Sequence, residues 1–266
     1  MSNSLLGLEG KGVVVTGAGQ GGGRGIALQF AKAGARVAVV DLDESLARKV
    51  AGELQVLGAE SVAVRADATD PDSVARMVER SLEALGGLDV GVNNVGNFGA
   101  HRPQPVLDQG TEFWDTAVAQ NLRTTFLGSQ AFARSMIERG VAGAIVNVAS
   151  LSGLRGSINL APYGAAKAGV MQFTQTLALE LAPHRIRVNC VAPTSIDTPS
   201  YAAGTTPERR AATEASIPLG RLCDPEELGG AVVMLASDLA AFVTGQTLPC
   251  DGGLSVTIRR PPIAPE

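Results

Sequence analysis

The chain has little that would serve metal or disulfide chemistry. Of its 266 residues, three are cysteine and two are histidine. Cys190, Cys223 and Cys250 are odd in number, far apart and without a C-x-x-C, which fits free thiols in a reducing cytoplasm and not a disulfide framework. His101 and His184 lie in loop-like stretches with no cysteine or carboxylate cluster at zinc-ligand spacing, which speaks against a metal site. No run of 18 apolar residues occurs, so no membrane-spanning helix is expected. Met1 to Gly7 has neither a basic leader nor a long apolar stretch and does not read as a secretion signal. Long basic runs are absent too. A formal net charge of -4 offers no electrostatic basis for nucleic acid or an anionic membrane. Hydrophobic residues at 45% and charged ones at 18% exclude a disordered chain. No linker-like shift of composition divides the sequence, so residues 1–266 read as one domain.

What is present is an alternation of short β-branched runs with helical patterns. Strands are expected at Gly12–Thr16, Arg36–Asp41, Ser61–Arg65, Leu88–Asn93, Ala144–Ala149 and Arg187–Val191. Helices are expected from about Gly23 to Ala33, Glu44 to Leu57, Pro71 to Leu85, Glu112 to Arg139, and around Tyr163. Near-continuous apolar strands of this kind belong to a parallel sheet covered on both faces, an α/β fold of repeated βαβ units. The Ser-, Thr- and Pro-rich segment 194–220 lacks a clear strand and reads as a lid over a site. Residues 254–266 read as a C-terminal tail, free or used in subunit contacts.

Between the first strand and first helix lie six glycines in the ten positions Thr16 to Gly25. Glycine lets a backbone approach phosphates closely, and a helix N-terminus presents free N–H groups. A glycine surplus matches many templates; its position after a strand and before a helix is the stronger signal. Asp41, ending the second strand, is placed to accept hydrogen bonds from an adenosine ribose and to repel a 2′-phosphate. Gln20 stands where a basic residue would favour NADP, leaving Arg24 as the one candidate clamp. NAD is therefore expected over NADP.

Tyr163 and Lys167 are four residues apart, so a helix stacks phenol and ammonium on one face. With an ordinary pKa near 10, a tyrosine working as a base close to neutrality must be brought down by roughly 2 to 3, about 3 to 4 kcal/mol. A lysine one turn away in a site that limits water could supply much of that. An isolated pair at this spacing is more often a surface accident, so the surrounding motifs decide.

With those motifs the chain resembles the short-chain dehydrogenase/reductase family from about Leu8 to Gly253. Thr16 to Gly23 meet T-G-x-x-x-G-x-G, Asp67 matches the aspartate after the third strand, and Asn93-Asn94-Val95-Gly96 stands for N-N-A-G. Asn121 matches the helix asparagine, Ser150 the serine 13 residues before the tyrosine, and Asp251-Gly252-Gly253 the late D-G-G. Val95 in place of alanine, Thr194 in place of glycine and Gly22 in place of isoleucine depart from the pattern. They are expected to tune affinity, Gly22 by loosening the phosphate loop.

The resemblance implies a Rossmann-like, doubly wound parallel sheet of about seven strands with helices on both faces. It implies an NAD(H)-dependent oxidoreductase that interconverts a secondary alcohol and its ketone. Tyr163 would be the general base or acid, Lys167 the cation that lowers its pKa and binds the nicotinamide ribose, and Ser150 the donor to the substrate oxygen. Asn121 would hold a water linking Lys167 to solvent. To the cofactor it assigns Gly17, Gln20, Gly21, Gly22 and Gly23 in the loop, Asp41 and Leu42 after the second strand, and Asp67 and Ala68 after the third. Asn94, Val95 and Gly96 follow the fourth strand, Pro193, Ile196 and Thr198 the sixth, and Tyr163 and Lys167 complete the set. The substrate is expected to be small and largely apolar, meeting Leu151, Leu154, Ile196, Tyr201, Ile217 and Leu219. A homotetramer or dimer is expected through the helices near 111–139 and 163–182, where Ala165, Ala166, Ala168 and Gly169 permit close approach. A 3-oxoacyl thioester reductase is the rival activity, disfavoured by Asp41. A nucleotide-sensing protein without chemistry is disfavoured by the intact Ser150, Tyr163, Lys167 and Asn121.

Overall fold

The computed structural model describes residues 5–97, 99 and 101–257. Met1 to Ser4, Phe98, Ala100 and the tail from residue 258 onward, including Arg259-Arg260-Pro261-Pro262, lie outside the described residues. Seven parallel strands form one sheet in the order β3-β2-β1-β4-β5-β6-β7. They are β1 Gly12–Thr16, β2 Arg36–Asp41, β3 Ser61–Arg65, β4 Val90–Asn93, β5 Ala144–Val148, β6 Arg187–Pro193 and β7 Thr247–Cys250. Side chains alternate across the pleat, so Val13 and Val15 enter one core and Val14 the other. The first core packs helices α1 (Gly21–Lys32), α2 (Glu44–Val56) and α9 (Pro225–Ala236); Ile26, Phe30, Val50, Leu54 and Leu228 are fully covered there. The second packs α3 (Pro71–Leu85), α5 (Thr124–Glu138) and α6 (Ala161–Leu181) through Met77, Phe132, Met136 and Leu181. The doubly wound parallel architecture is as expected.

Strand order reverses between β1 and β4, and crevices at such a reversal are where open α/β sheets take ligands. Thr16 and Asn93 end the two strands there. Behind that edge runs a buried polar ladder. Asn93 Nδ2 donates to Ser129 Oγ and to Asn147 Oδ1, each at 2.9 Å, and Asn147 Nδ2 donates to Thr174 Oγ1 at 2.9 Å. Leaving one such buried group unpaired costs about 1–3 kcal/mol, so the ladder fixes α5 and α6 against the sheet.

Several boundaries differ from expectation. The long helix expected over Glu112 to Arg139 is α4 (Thr111–Ala117), a π-helical turn at Val118–Arg123 and α5. The π turn carries Asn121, whose Nδ2 donates to Ala117 O at 2.9 Å and to Asn97 O at 2.6 Å. Such single wide turns recur at functional sites. β4 begins at Val90, not Leu88, α1 begins at Gly21, not Gly23, and β6 runs on to Pro193. Residues 194–220 hold no strand, as expected, and carry α7 (Pro199–Ala203), capped by Thr198, and α8 (Pro207–Ser216), capped by Thr206. Arg210 of α8 pairs both guanidinium nitrogens with Asp197, at 2.8 and 2.6 Å, which anchors the segment at its root. Among the described residues no helix is long and apolar enough to cross a membrane.

Candidate active site and cofactor cleft

The glycine loop is pinned from two sides. Asp41 Oδ2 accepts the Gly19 N–H at 2.9 Å, and Asn94 Nδ2 donates to the carbonyls of Thr16 and Gly17 at 3.2 and 3.1 Å. A side chain at Gly23 has no room, because its Cβ would stand 2.0 Å from the Gly17 carbonyl oxygen. The loop therefore is not loosened by the lack of a side chain at Gly22. Leu228 and Ile196 already stand 3.0 and 3.4 Å from the point where a Gly22 Cβ would be. Thr198 Cγ2 stands 3.3 Å from the point where a Gly21 Cβ would be, so Ile196 and Thr198 overhang the loop.

Helix α1 differs from its neighbours at its start. Asp43, Asp70 and Asp224 cap α2, α3 and α9 with their carboxylates. Gln20 gives α1 no side-chain cap, and its first turn holds no acidic residue. Its leading N–H groups are left to a ligand anion, and the helix dipole favours one. A pyrophosphate fits this cradle, and Asp41 stands beside it. The dinucleotide fits the residues present.

Beyond Asp41 opens a cleft of about 410 Å³ lined by Leu42, Ala66 and Asp67 together with Arg65, Arg76 and Arg80. Leu42 and Asp67 fall where expected. The hydroxyl and N–H of Thr69 hold the Asp67 carboxyl below its ordinary range. The three arginines were not legible in sequence, since they come from β3 and the outer face of α3. Arg24, the expected NADP clamp, is turned away and paired with Glu53 at 2.7 Å. Ala68 and Val95 face a smaller hollow beneath Asn93 and Thr124.

Tyr163, Lys167, Ser150 and Asn121 converge from α6, the end of β5 and the π turn. Ser150 hydrogen-bonds the Tyr163 phenol and also accepts the Ser152 N–H at 3.2 Å. The turn Leu151–Gly153 lies directly on α6, and a Cβ on Gly153 would come 2.7 Å from the Lys167 carbonyl carbon. Lys167 is 2% exposed, donates to Val148 O at 3.0 Å and holds its Nζ 5.7 Å from the Tyr163 ring centre. Asn121 is fully buried and its Oδ1 has no hydrogen-bond partner. That oxygen and Lys167 Nζ each lie 2.6 Å from the place a Gly96 Cβ would occupy, a span one water can bridge. Pro193 ends β6 beside Cys250 of β7. His101, without an expected role, stacks on Phe113 at 5.0 Å and hydrogen-bonds Thr116.

One electrostatic expectation changes. Burial pushes the Tyr163 phenol above its ordinary value of 10.0, and the Ser150 hydrogen bond offsets only part of this. Burial also pushes the Lys167 ammonium down from 10.5 to about 8. In the chain without a ligand, desolvation of the phenol thus outweighs the Ser150 hydrogen bond.

Lys167 also leaves a mark on stability. Between pH 8 and 10.5 the native lysine is largely neutral while the unfolded one still holds its proton, so stability rises with pH across that window. Lys167→Met removes this dependence. The variant's advantage over the wild type in denaturant midpoint is expected to shrink from pH 8 to pH 10.5, by at most about 1.4 kcal/mol per pH unit. A pH-independent difference would mean the ammonium is not desolvated.

In front of Tyr163 lies a cleft of about 670 Å³ lined by Ser150, Ser152, Ser157, Arg155 and Thr194, closed on the far side by Leu254, Ser255 and Thr257. It is more polar than expected. Ile217 and Leu219 line a different hollow with Cys223 and Cys250, Ile196 packs on the first core, and Leu154 is exposed; Leu151 alone of the expected apolar set lines the cleft. The start of the expected tail is ordered: Leu254–Val256 form a turn whose Ser255 N–H bonds Asp251 Oδ2 at 2.7 Å, folding it back over the site. Among the described residues no cluster of three His, Cys, Asp or Glu could hold a metal ion.

Comparison with known proteins agrees with this geometry. Residues 17–255 match the family model described as enoyl-(acyl carrier protein) reductase. L-rhamnose 1-dehydrogenase (NAD(P)(+)) of Azotobacter vinelandii is 39% identical over 254 residues, 94% of this chain and 98% of that protein. The 3-oxoacyl-[acyl-carrier-protein] reductase of Vibrio cholerae is 38% identical over 249 residues, 94% of this chain and 99% of that one. The solved 7 alpha-hydroxysteroid dehydrogenase in complex with NADH and 7-oxo glycochenodeoxycholic acid superposes with a TM-score of 0.88 at 33% identity, covering 95% of this chain and 97% of that chain. The cradle, the Ser150/Tyr163/Lys167 cluster and these relatives together make the chain a member of the short-chain dehydrogenase/reductase family.

Proposed function

We propose that this protein is an NAD(H)-dependent dehydrogenase that interconverts a secondary alcohol and its ketone. The observation that carries the reading is the convergence of Ser150, Tyr163, Lys167 and Asn121, with Gly96 between the last two and nearby Asn94 tied to the glycine loop at the uncapped start of α1. An oxidised nicotinamide would supply the acceptor for the hydride of the carbinol carbon and, being cationic, a positive charge that favours the Tyr163 phenolate. Tyr163 takes the hydroxyl proton in oxidation and returns it in reduction. Ser150 donates to the substrate oxygen and steadies the charge developing there. Lys167 holds the phenolate and the cofactor ribose, and Asn121 Oδ1 carries the water through which Lys167 exchanges protons.

Asp41 argues for NAD over NADP, and residues 194–220, tied down by the Asp197–Arg210 pair, form the lid. The chain is taken as cytoplasmic because its three cysteines are free, even Cys223 and Cys250, whose sulfurs are 3.9 Å apart. It is taken as a homotetramer or dimer, held through the α5 and α6 surfaces where Phe126, Ile137 and Leu179 are exposed. Light scattering reads the assembly.

The test is a screen of NAD with a broad panel of secondary alcohols at mildly alkaline pH, read as NADH formation. A 3-oxoacyl thioester with NADPH is included. Its faster turnover, or no turnover of any alcohol, would overturn the reading.

A further inference from the structure

The cleft in front of Tyr163 has a hydroxyl-rich wall that leads away from the reaction centre to a single charge. Ser150 Oγ accepts the Ser152 backbone N–H, Ser157 Oγ donates to Ser152 Oγ at 2.9 Å, and all three serines line the cleft with Tyr163. Arg155 lies on this same short segment. Among the described residues it is the one charged side chain lining the cleft.

A guanidinium has five N–H donors and cannot give up its proton in a protein. Here Arg155 spends one nitrogen on the Ser255 carbonyl of the turn across the cleft. No carboxylate pairs with it among the described residues, which it shares with most of the described arginines and which leaves its charge open to a ligand. The cation is thus held in place at the rim by a neutral oxygen, with its fork-shaped donor edge unmatched. A planar carboxylate is the group that such an edge matches with two parallel hydrogen bonds. Leu151, Leu160 and Leu254 line the same cleft and give a short carbon frame something to lie against.

We infer that the alcohol oxidised here carries a carboxylate, which Arg155 holds at the rim of the cleft while Ser150 and Tyr163 hold the reacting oxygen. The inference rests on the dehydrogenase reading and names the substrate class within it. A competing role for Arg155 is mechanical. Its bond to Ser255 ties the segment after Leu151–Gly153 to the turn Leu254–Val256, and loss of that tie would injure turnover of every substrate alike.

The two roles separate on a matched pair. We would measure kcat/KM for 4-hydroxycyclohexanecarboxylate and for its carboxamide in the wild type, Arg155→Gln and Arg155→Lys. The wild type is expected to prefer the acid by about tenfold, since one charge-assisted contact at an exposed rim is screened by water. Arg155→Gln should abolish the preference, Arg155→Lys should keep part of it, and added salt should weaken it in the wild type. A wild type without preference for the acid, or a preference surviving in Arg155→Gln, overturns the inference. Should neither alcohol be oxidised, the dehydrogenase reading is what suffers for this pair. Calorimetric titration of NADH-saturated protein with cyclohexanecarboxylate and with cyclohexanecarboxamide then decides on Arg155, and equal binding of the two by the wild type again overturns it.

Discussion

Tyr163→Phe is expected to give a folded protein that binds NADH yet turns over at about one thousandth of the wild-type rate or less. The side chain packs on α6, and phenylalanine keeps that packing while losing only the hydroxyl. Ser150 loses one partner but keeps the Ser152 N–H, so the cost in stability is about 1 kcal/mol. Catalysis loses far more. General acid–base transfer contributes about 10²- to 10⁴-fold, and within the cluster no second group stands ready to take the proton. Ser150 is too weak a base, and Lys167 is turned toward Val148 O. Thermal unfolding, an NADH titration and steady-state rates check the three parts together. Activity within tenfold of the wild type would displace Tyr163 from the role of base.

Asp41→Asn is expected to lower the NAD-over-NADP preference by about tenfold while leaving NAD binding nearly intact. Asp41 does two things at once. Its carboxylate accepts the Gly19 and Asp43 N–H groups, at 2.9 and 3.1 Å, and under the proposed reading its negative charge faces the 2′ position of the adenosine ribose. Two unit charges about 5 Å apart at an effective dielectric near 20 repel by about 3 kcal/mol, which water at this open strand end reduces. Asparagine retains an oxygen for Gly19 and removes the charge. Asp41→Ala, by contrast, frees Gly19 and should weaken both cofactors. Arg65, Arg76 and Arg80 in the neighbouring cleft attract phosphate, so measurable NADP binding is expected even in the wild type. Kd values for the four nucleotides by fluorescence titration decide. A wild type binding NADP the more tightly, or a ratio unmoved in Asp41→Asn, would remove Asp41 from cofactor choice.

The alternation of strands and helices was legible because each parallel strand is covered on both faces and must be apolar along its length. Ser61–Arg65 and Pro71–Leu85 were read to the residue, the latter because Asp70, Pro71 and Gly86 mark both ends. β7 was not delineated, since four residues that are mostly half-buried and include an exposed proline carry no strong pattern. The π turn at Val118–Arg123 was invisible because apolar spacing runs through it as it would through an unbroken helix. The polar cleft was misjudged for a related reason. Hydropathy of the segments 151–160 and 194–220 does not say which side chains turn inward, and the return of Leu254–Thr257 is a contact across a hundred residues.

By itself the sequence determined whatever depends on neighbours along the chain. Four-residue spacing on a helix puts Lys167 beside Tyr163, and a glycine cluster between strand and helix makes a phosphate cradle, whatever surrounds them. Only the tertiary structure decided what depends on neighbours in space. It set how far Lys167 is stripped of water, that the Asn121 oxygen is buried without a partner, that Arg24 is spent on Glu53, and that Arg155 is the one charged side chain among the described residues lining the cleft at Tyr163. Desolvation and charge act through distance and burial, and those are set by elements that meet only when the sheet has formed.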